Sequence, residues 1–160
     1  MPQPLTITLP SDREIQVTRD FAASPDLVFD CWTIPALIRR WLGPPDWVML
    51  TCEFDARVGG KWRFVSRGPD GFEMGHGGTI LELDRPRWLK TTERYDMDWT
   101  GGETLNTNAF TAIATGTRSV LTVLYASKEA RDGAAATPMA EGMEMGFQRL
   151  DALLRTDFTN

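Results

Sequence analysis

The chain is poor in the residues that build metal and disulfide sites. It has one histidine, His76, and two cysteines, Cys31 and Cys52, among 160 residues. That supply makes no Cys/His zinc motif and falls far short of the cysteine density of a secreted scaffold. Both thiols are expected to be reduced core groups, and neither a metal nor a cofactor is expected. No stretch approaches the ~18 consecutive apolar residues that span a bilayer, so no membrane partner is expected. Positive charge is short as well: 17 Lys and Arg against 22 Asp and Glu leave a net charge of -5, which repels phosphate backbones and argues against nucleic acid. The opening Met1-Pro2-Gln3-Pro4 lacks the basic-then-apolar order of a signal peptide, so the expected location is cytoplasmic. Phosphate-cradling glycine loops, serine elbows, repeats and low-complexity stretches are missing too.

What is present is ordinary globular composition, 42% apolar and 24% charged, in a chain of single-domain length. At that size roughly 70% of the unfolded chain's surface can be buried. Residues 1–10 read as a flexible arm and residues 11–157 as one domain. Residues 13–21 alternate, with Ile15, Val17, Arg19 and Phe21 on one side, the pattern of a strand. Ser24-Pro25-Asp26 supplies a cap, a first-turn proline and a first-turn acid for a short helix. A second short helix is expected over residues 35–42, closed by Gly43 and Pro44-Pro45. Six strand-like runs follow, over residues 47–57, 61–67, 73–83, 88–96, 103–114 and 118–125, each cut by a tight turn signal. Tight turns imply antiparallel pairing, so these six form a meander that the first strand completes as a seventh. After a short helix capped by Ser127, Thr137-Pro138 restarts the chain as a long helix. Its stripe is Met139, Met143, Phe147, Leu150 and Leu154. Gly142 and Gly146 sit beside that stripe and cost helix stability, which the approach of a sheet strand or room for a ligand would offset. Neither a bent sheet nor an apolar helix buries its face alone. The architecture so derived is α+β, a helix-grip: a seven-stranded curved antiparallel sheet wrapped around the C-terminal helix, with two short helices after the first strand.

That order, with several local strings, resembles the START-like (SRPBCC) superfamily. Within it the chain is similar to the subfamily of homologues of the heat-shock-protein ATPase activator. The strings are Ser24-Pro25-Asp26-Leu27-Val28-Phe29, residues 35–44, Arg57-Val58-Gly59-Gly60-Lys61-Trp62-Arg63-Phe64, Pro69-Asp70-Gly71, Thr92-Glu93-Arg94, Glu141-Gly142-Met143 and Leu150-Asp151-Ala152-Leu153-Leu154. Ile34 departs from the aspartate commoner before that proline, and Thr33 is expected to take over its cap. The resemblance implies the helix-grip fold and an internal cavity; it implies no reaction.

His76 is the one side chain that titrates near neutrality. It lies in Met74-Gly75-His76-Gly77-Gly78. Strict alternation puts it opposite Leu81 and Leu83, on the outer face, unless a bulge at Gly77-Gly78 turns it inward. Glu53, Glu73, Glu93 and Glu103 fall on strands, as do Arg63 and Arg94. A convex face of alternating charges accounts for them, but Glu93 shares a side with Leu89, Thr91 and Tyr95 and is the best inward candidate. Trp62 and Phe64 read as cavity wall, Trp99 as a lid, interface anchor or loop-packing ring, and Met143 and Phe147 as core or cavity lining.

The leading functional expectation is a binding module for a small, largely apolar organic ligand held between the sheet and the C-terminal helix. Trp62, Phe64, Trp99, Met143 and Phe147 are the apolar contacts, and His76 or Glu93 the polar anchor. The alternatives are a cyclase, dehydratase or hydrolase with His76 or Glu93 as general base, and a protein-interaction module of the chaperone-cofactor kind. A homodimer through loop aromatics is compatible with each.

Overall fold

A computed structural model describes residues 3–157. Its strands are β1 (Thr6–Thr8), β2 (Glu14–Phe21), β3 (Val48–Phe54), β4 (Lys61–Arg67), β5 (Glu73–Asp84), β6 (Trp88–Tyr95), β7 (Thr104–Ile113) and β8 (Gly116–Leu124). They form one antiparallel sheet in the order β1-β2-β8-β7-β6-β5-β4-β3. The strand count is eight rather than seven. Thr6–Thr8, in the arm expected to be flexible, pairs with residues 16–18 of β2 and adds an edge strand. Three residues are too few for a legible alternation, which is why the arm read as strandless. Residues 1–2 of that arm lie outside the described residues.

Helix α1 (Pro25–Thr33) begins as its sequence requires: the Ser24 hydroxyl accepts from the Leu27 N–H, with proline at the first position and Asp26 in the first turn. Helix α2 (Pro35–Ile38) is shorter than expected and has no side-chain cap. The Thr33 hydroxyl does not cap it but donates back to the Phe29 carbonyl at 3.0 Å. Helix α3 (Lys128–Ala135) is capped by Ser127, and the Thr137 hydroxyl closes its C-terminal end by donating to the Ala134 carbonyl. The C-terminal helix α4 (Met139–Asp157) follows.

The inward residues of β2, Ile15, Val17, Arg19 and Phe21, are all at most 3% exposed. Arg19 is the odd member, and α4 explains it. Its guanidinium bonds Glu144 Oε2 and Asp151 Oδ2, both at 2.8 Å, with the arginine side chain 2% exposed. It also lies over the rings of Phe21 and Phe147, at 5.1 and 5.8 Å from their centroids. Burial opposes the charge on Arg19, but the two carboxylates overcome this and hold its proton more tightly than usual. Phe147 completes a ring cluster with Phe21, Trp32 of α1 and Trp41, so the space beneath this part of α4 is filled. The Arg149 guanidinium donates to the Gly43 carbonyl at 2.9 Å. Gly146 has its reason in the turn after α2 rather than in a strand: a Cβ there would stand 3.3 Å from the Trp41 carbonyl and 3.4 Å from the Gly43 nitrogen. A Cβ at Gly142 would meet nothing within 4 Å.

Three expectations follow. Arg19→Met leaves Glu144 and Asp151 without their cation and should destabilise the fold by about 3–5 kcal/mol in chemical denaturation. For Glu144 burial is the largest influence and raises its pKa. The Arg19 bonds, the Leu5 N–H and the Arg19 charge together outweigh it and hold the carboxyl below its ordinary 4.5. A depressed pKa stabilises above the unfolded value. Wild-type stability should therefore fall as pH drops below about 4.5, and Arg19→Met should lose less over that window. Gly142→Ala should raise stability by about 1 kcal/mol, a gain of roughly 2–4 °C in Tm, whereas Gly146→Ala should not.

Candidate functional site

The concave face changes character across the sheet. Around β2, α1 and α4 it is a cluster of phenylalanine and tryptophan rings. Across β4 to β7 it carries a polar group set among a second cluster of rings.

His76 is at the centre of that second cluster. Its Nδ1 lies 2.8 Å from Glu93 Oε2, with the two side chains 19% and 16% exposed. The other carboxylate oxygen, Oε1, accepts from Asn106 Nδ2 at 3.1 Å. Asn106 Oδ1 in turn accepts from the Thr104 hydroxyl at 3.2 Å. The carboxylate is thus fixed from behind, and it fixes the imidazole so that Nε2 points away with no hydrogen-bond partner among the described residues.

His76 faces inward because β5 is irregular. Its register against β6 shifts between Ile80 and Glu82, which makes Leu81 the extra residue of a bulge. Before the bulge the even residues His76, Gly78 and Ile80 point inward; after it Leu83 does, and Leu81 is 39% exposed. Counting alternation from Leu81 and Leu83 assigns His76 to the wrong face, and the bulge lies at Leu81, not at Gly77-Gly78. Gly78 has a different use. It pairs with Trp62, and a Cβ there would collide with the Thr92 carbonyl. Without one, the Trp62 indole reaches over to donate to that carbonyl at 3.1 Å.

The rings follow from these strand positions. Tyr95, opposite His76 in the ladder, stacks on the imidazole at 4.6 Å with a 4° interplanar angle. Trp62 and Phe64 present edges to it at 5.4 and 5.6 Å. Trp99 is 42% exposed and meets Tyr95 edge-on at 5.0 Å. Its loop is closed by the Gly102 N–H donating to Asp98 Oδ1 at 2.7 Å. Both tyrosines of the chain stand near Glu93. Desolvation, reinforced by the Glu93 charge, pushes the Tyr125 phenol up to about 12. Desolvation first, then Glu93 and Tyr125, pushes Tyr95 well above its ordinary value.

Of the four glutamates expected on strands only Glu93 turns inward; Glu53, Glu73 and Glu103, the last just before β7, are exposed, and Arg94 with them. Arg63 pairs outside with Asp96 at 2.6 Å. The structure brings Trp62, Phe64, His76, Glu93 and Trp99 together. Phe147 belongs to the other ring cluster, and Met143 is half-buried at the margin of the core. Thr104, Asn106 and Tyr125 were missed. The available signal was the alternation Thr104, Asn106, Asn108, Phe110, a strand whose inward face is mostly polar. Two open recesses, about 300 Å³ beside Arg40 and Arg149 and about 420 Å³ beside Pro25 and Phe110, lie outside this group. Burial pushes the Cys31 thiol up to about 11, with help from Asp30, and raises Cys52 also, so neither is an activated nucleophile. No cluster of three metal-ligating side chains occurs, and no helix is long and apolar enough to cross a membrane, among the described residues.

A curved antiparallel sheet gripping a C-terminal helix, with a polar group among rings on its concave face, defines a START-like helix-grip protein. Residues 22–155 match the family model described as Activator of Hsp90 ATPase homolog 1-like protein, and the chain belongs to that family. A Rhodobacter sphaeroides protein is similar along its whole length: 37% identity, 96% of this chain and 99% of that one covered, TM-score 0.92. A Mycobacterium smegmatis protein is 25% identical over 94% and 97% of the two chains, with a TM-score of 0.82. The AHSA1 protein of Silicibacter pomeroyi shares the fold at 21% identity, over 89% and 97%, with a TM-score of 0.72. No curated protein matches the chain.

The enclosed geometry predicts the ultraviolet titration of the tyrosines. No phenol of the folded protein should ionise near pH 10: Tyr125 should ionise near pH 12, and Tyr95 well above the ordinary phenol value. Ionisation at the ordinary pH before unfolding would contradict the burial of both rings.

Proposed function

We propose that the concave face of β4 to β7 binds a small organic molecule, apolar or aromatic in its body and polar at one end. The observation that carries this reading is the chain of bonds from Thr104 through Asn106 and Glu93 to His76, which ends in an imidazole nitrogen with no partner. The imidazole is oriented from behind by Glu93 and walled by Trp62, Phe64 and Tyr95, while its unpartnered Nε2 stays open to solvent and so to a ligand. Stacked and edge-on rings supply apolar contact to a flat ligand, Nε2 supplies the polar anchor, and Trp99 covers the group from its loop. The two buried, unpaired cysteines fit a reducing cytoplasmic setting.

A second reading uses the same atoms. A carboxylate that orients an imidazole while leaving Nε2 free is the arrangement of a general base, so turnover of the bound molecule, by dehydration, cyclisation or hydrolysis, is the alternative.

Purified protein extracted into organic solvent should release a stoichiometric small molecule by mass spectrometry. His76→Ala and Glu93→Gln should each weaken its rebinding by about tenfold, equivalent to 1.4 kcal/mol, in protein that circular dichroism shows to be still folded. Rebinding indifferent to both substitutions would remove the site. Conversion of the molecule by wild type but not by His76→Ala would establish the general-base reading.

A further inference from the structure

Asn108 stands two residues beyond Asn106 on the same inward face of β7. It is 4% exposed, and neither its Nδ2 nor its Oδ1 has a hydrogen-bond partner among the described residues. Its cross-strand neighbours are Leu89 on β6 and Leu121 on β8, which offer it no polar side-chain atom. The backbone groups at this position are taken up by the sheet ladder. The contrast with Asn106 is sharp: that amide is held by Glu93 on one side and Thr104 on the other. A buried amide left unpaired destabilises a fold. Leucine, with the same branched outline of heavy atoms, would sit between Leu89 and Leu121 without that cost. A polar side chain kept where an apolar one fits better is a mark of function.

We propose that Asn108 reads the ligand of the concave site, and that this ligand presents a carbonyl beside an N–H, as in a lactam or a carboxamide. The inference rests on the reading of that face as a small-molecule site and adds the chemistry it selects. A primary amide exposes one acceptor and two donors in a single plane. The edge that satisfies both its atoms at once is another amide edge: ligand N–H to Oδ1, ligand carbonyl from Nδ2. A carboxylate would accept from Nδ2 but leave Oδ1 unpaired, and it would approach the Glu93 charge. An alcohol bonds one atom of the pair at a time. Sites built to pair with a polar group reject analogues lacking it far more strongly than apolar pockets reject a missing methylene. Asn108 is therefore the position that sets specificity, while the rings around His76 tolerate variation in the body of the ligand.

The test uses the full chain and three probes of one bicyclic outline: 2-quinolinone, with carbonyl and N–H; 1-methyl-2-quinolinone, with the N–H blocked; and naphthalene, with neither. Affinities are read by ligand-observed NMR titration. Wild type should bind 2-quinolinone at least tenfold tighter than either analogue. Asn108→Leu should erase that preference while binding naphthalene as well as wild type does, and its Tm without ligand should equal or exceed that of wild type. Three probes bound alike, and weakened together by Trp99→Ala, would overturn the role of Asn108 and leave the binding face standing. Binding of none of them would overturn both. A lower Tm for unliganded Asn108→Leu would show that the amide is already satisfied inside the fold, by a buried water for instance, and would also overturn the proposal.

Discussion

Arg19 is a full positive charge on the inward face of a strand whose other inward residues are Ile15, Val17 and Phe21. An unpaired charge at that depth is prohibitive, so the strand and the helix that pairs with it are obliged to come together. Glu144 and Asp151 lie seven residues apart on α4, two turns along one side, and both close on the same guanidinium. That fixes the helix in rotation and in slide at once, which apolar packing alone does loosely. Phe147, between them in sequence, is thereby set against Phe21, Trp32 and Trp41. The grip of this helix-grip is thus an ionic clasp with an aromatic filling, placed over β2 and α1.

The consequence for function is a division of the concave face. The half under the clasp is closed by rings, and among the described residues no buried side-chain polar atom there lacks a partner, the arginine included. The half on β4 to β7 is fastened by its own network, from Thr104 to His76, and holds the two groups whose bonding is incomplete: His76 Nε2 and the Asn108 amide. The charge that ties the helix to the sheet and the polar network around His76 therefore lie on different strands of one sheet.

The family relationship supports the architecture and stops short of the chemistry. A TM-score of 0.92 to the Rhodobacter sphaeroides protein shows that the backbone is shared. What distinguishes one helix-grip protein from another is which side chains the strands turn inward. Here that set includes one histidine, one carboxylate, two phenols and two asparagines, within a wall of tryptophan and phenylalanine.

Most of the elements were legible in the residues because their signals are local. Ser24-Pro25-Asp26 opens a helix through a cap and a fixed backbone angle, and β4 is bounded by Gly59-Gly60 and Pro69-Asp70-Gly71. The family strings and the α4 stripe were legible for the same reason. Glu93, Trp62 and Phe64 were legible too, since their strands alternate without interruption. What the chain alone left undecided depended on pairing. The direction of His76 turns on one extra residue, Leu81, which exists as a bulge only relative to β6 and reverses every side chain on one side of it. The place of Phe147 turns on an ion pair between residues more than a hundred positions apart. The isolation of Asn108 turns on which leucines face it from β6 and β8. Composition and periodicity report what a segment prefers. Only the register of one segment against another decides which polar atoms find a partner inside the fold and which do not.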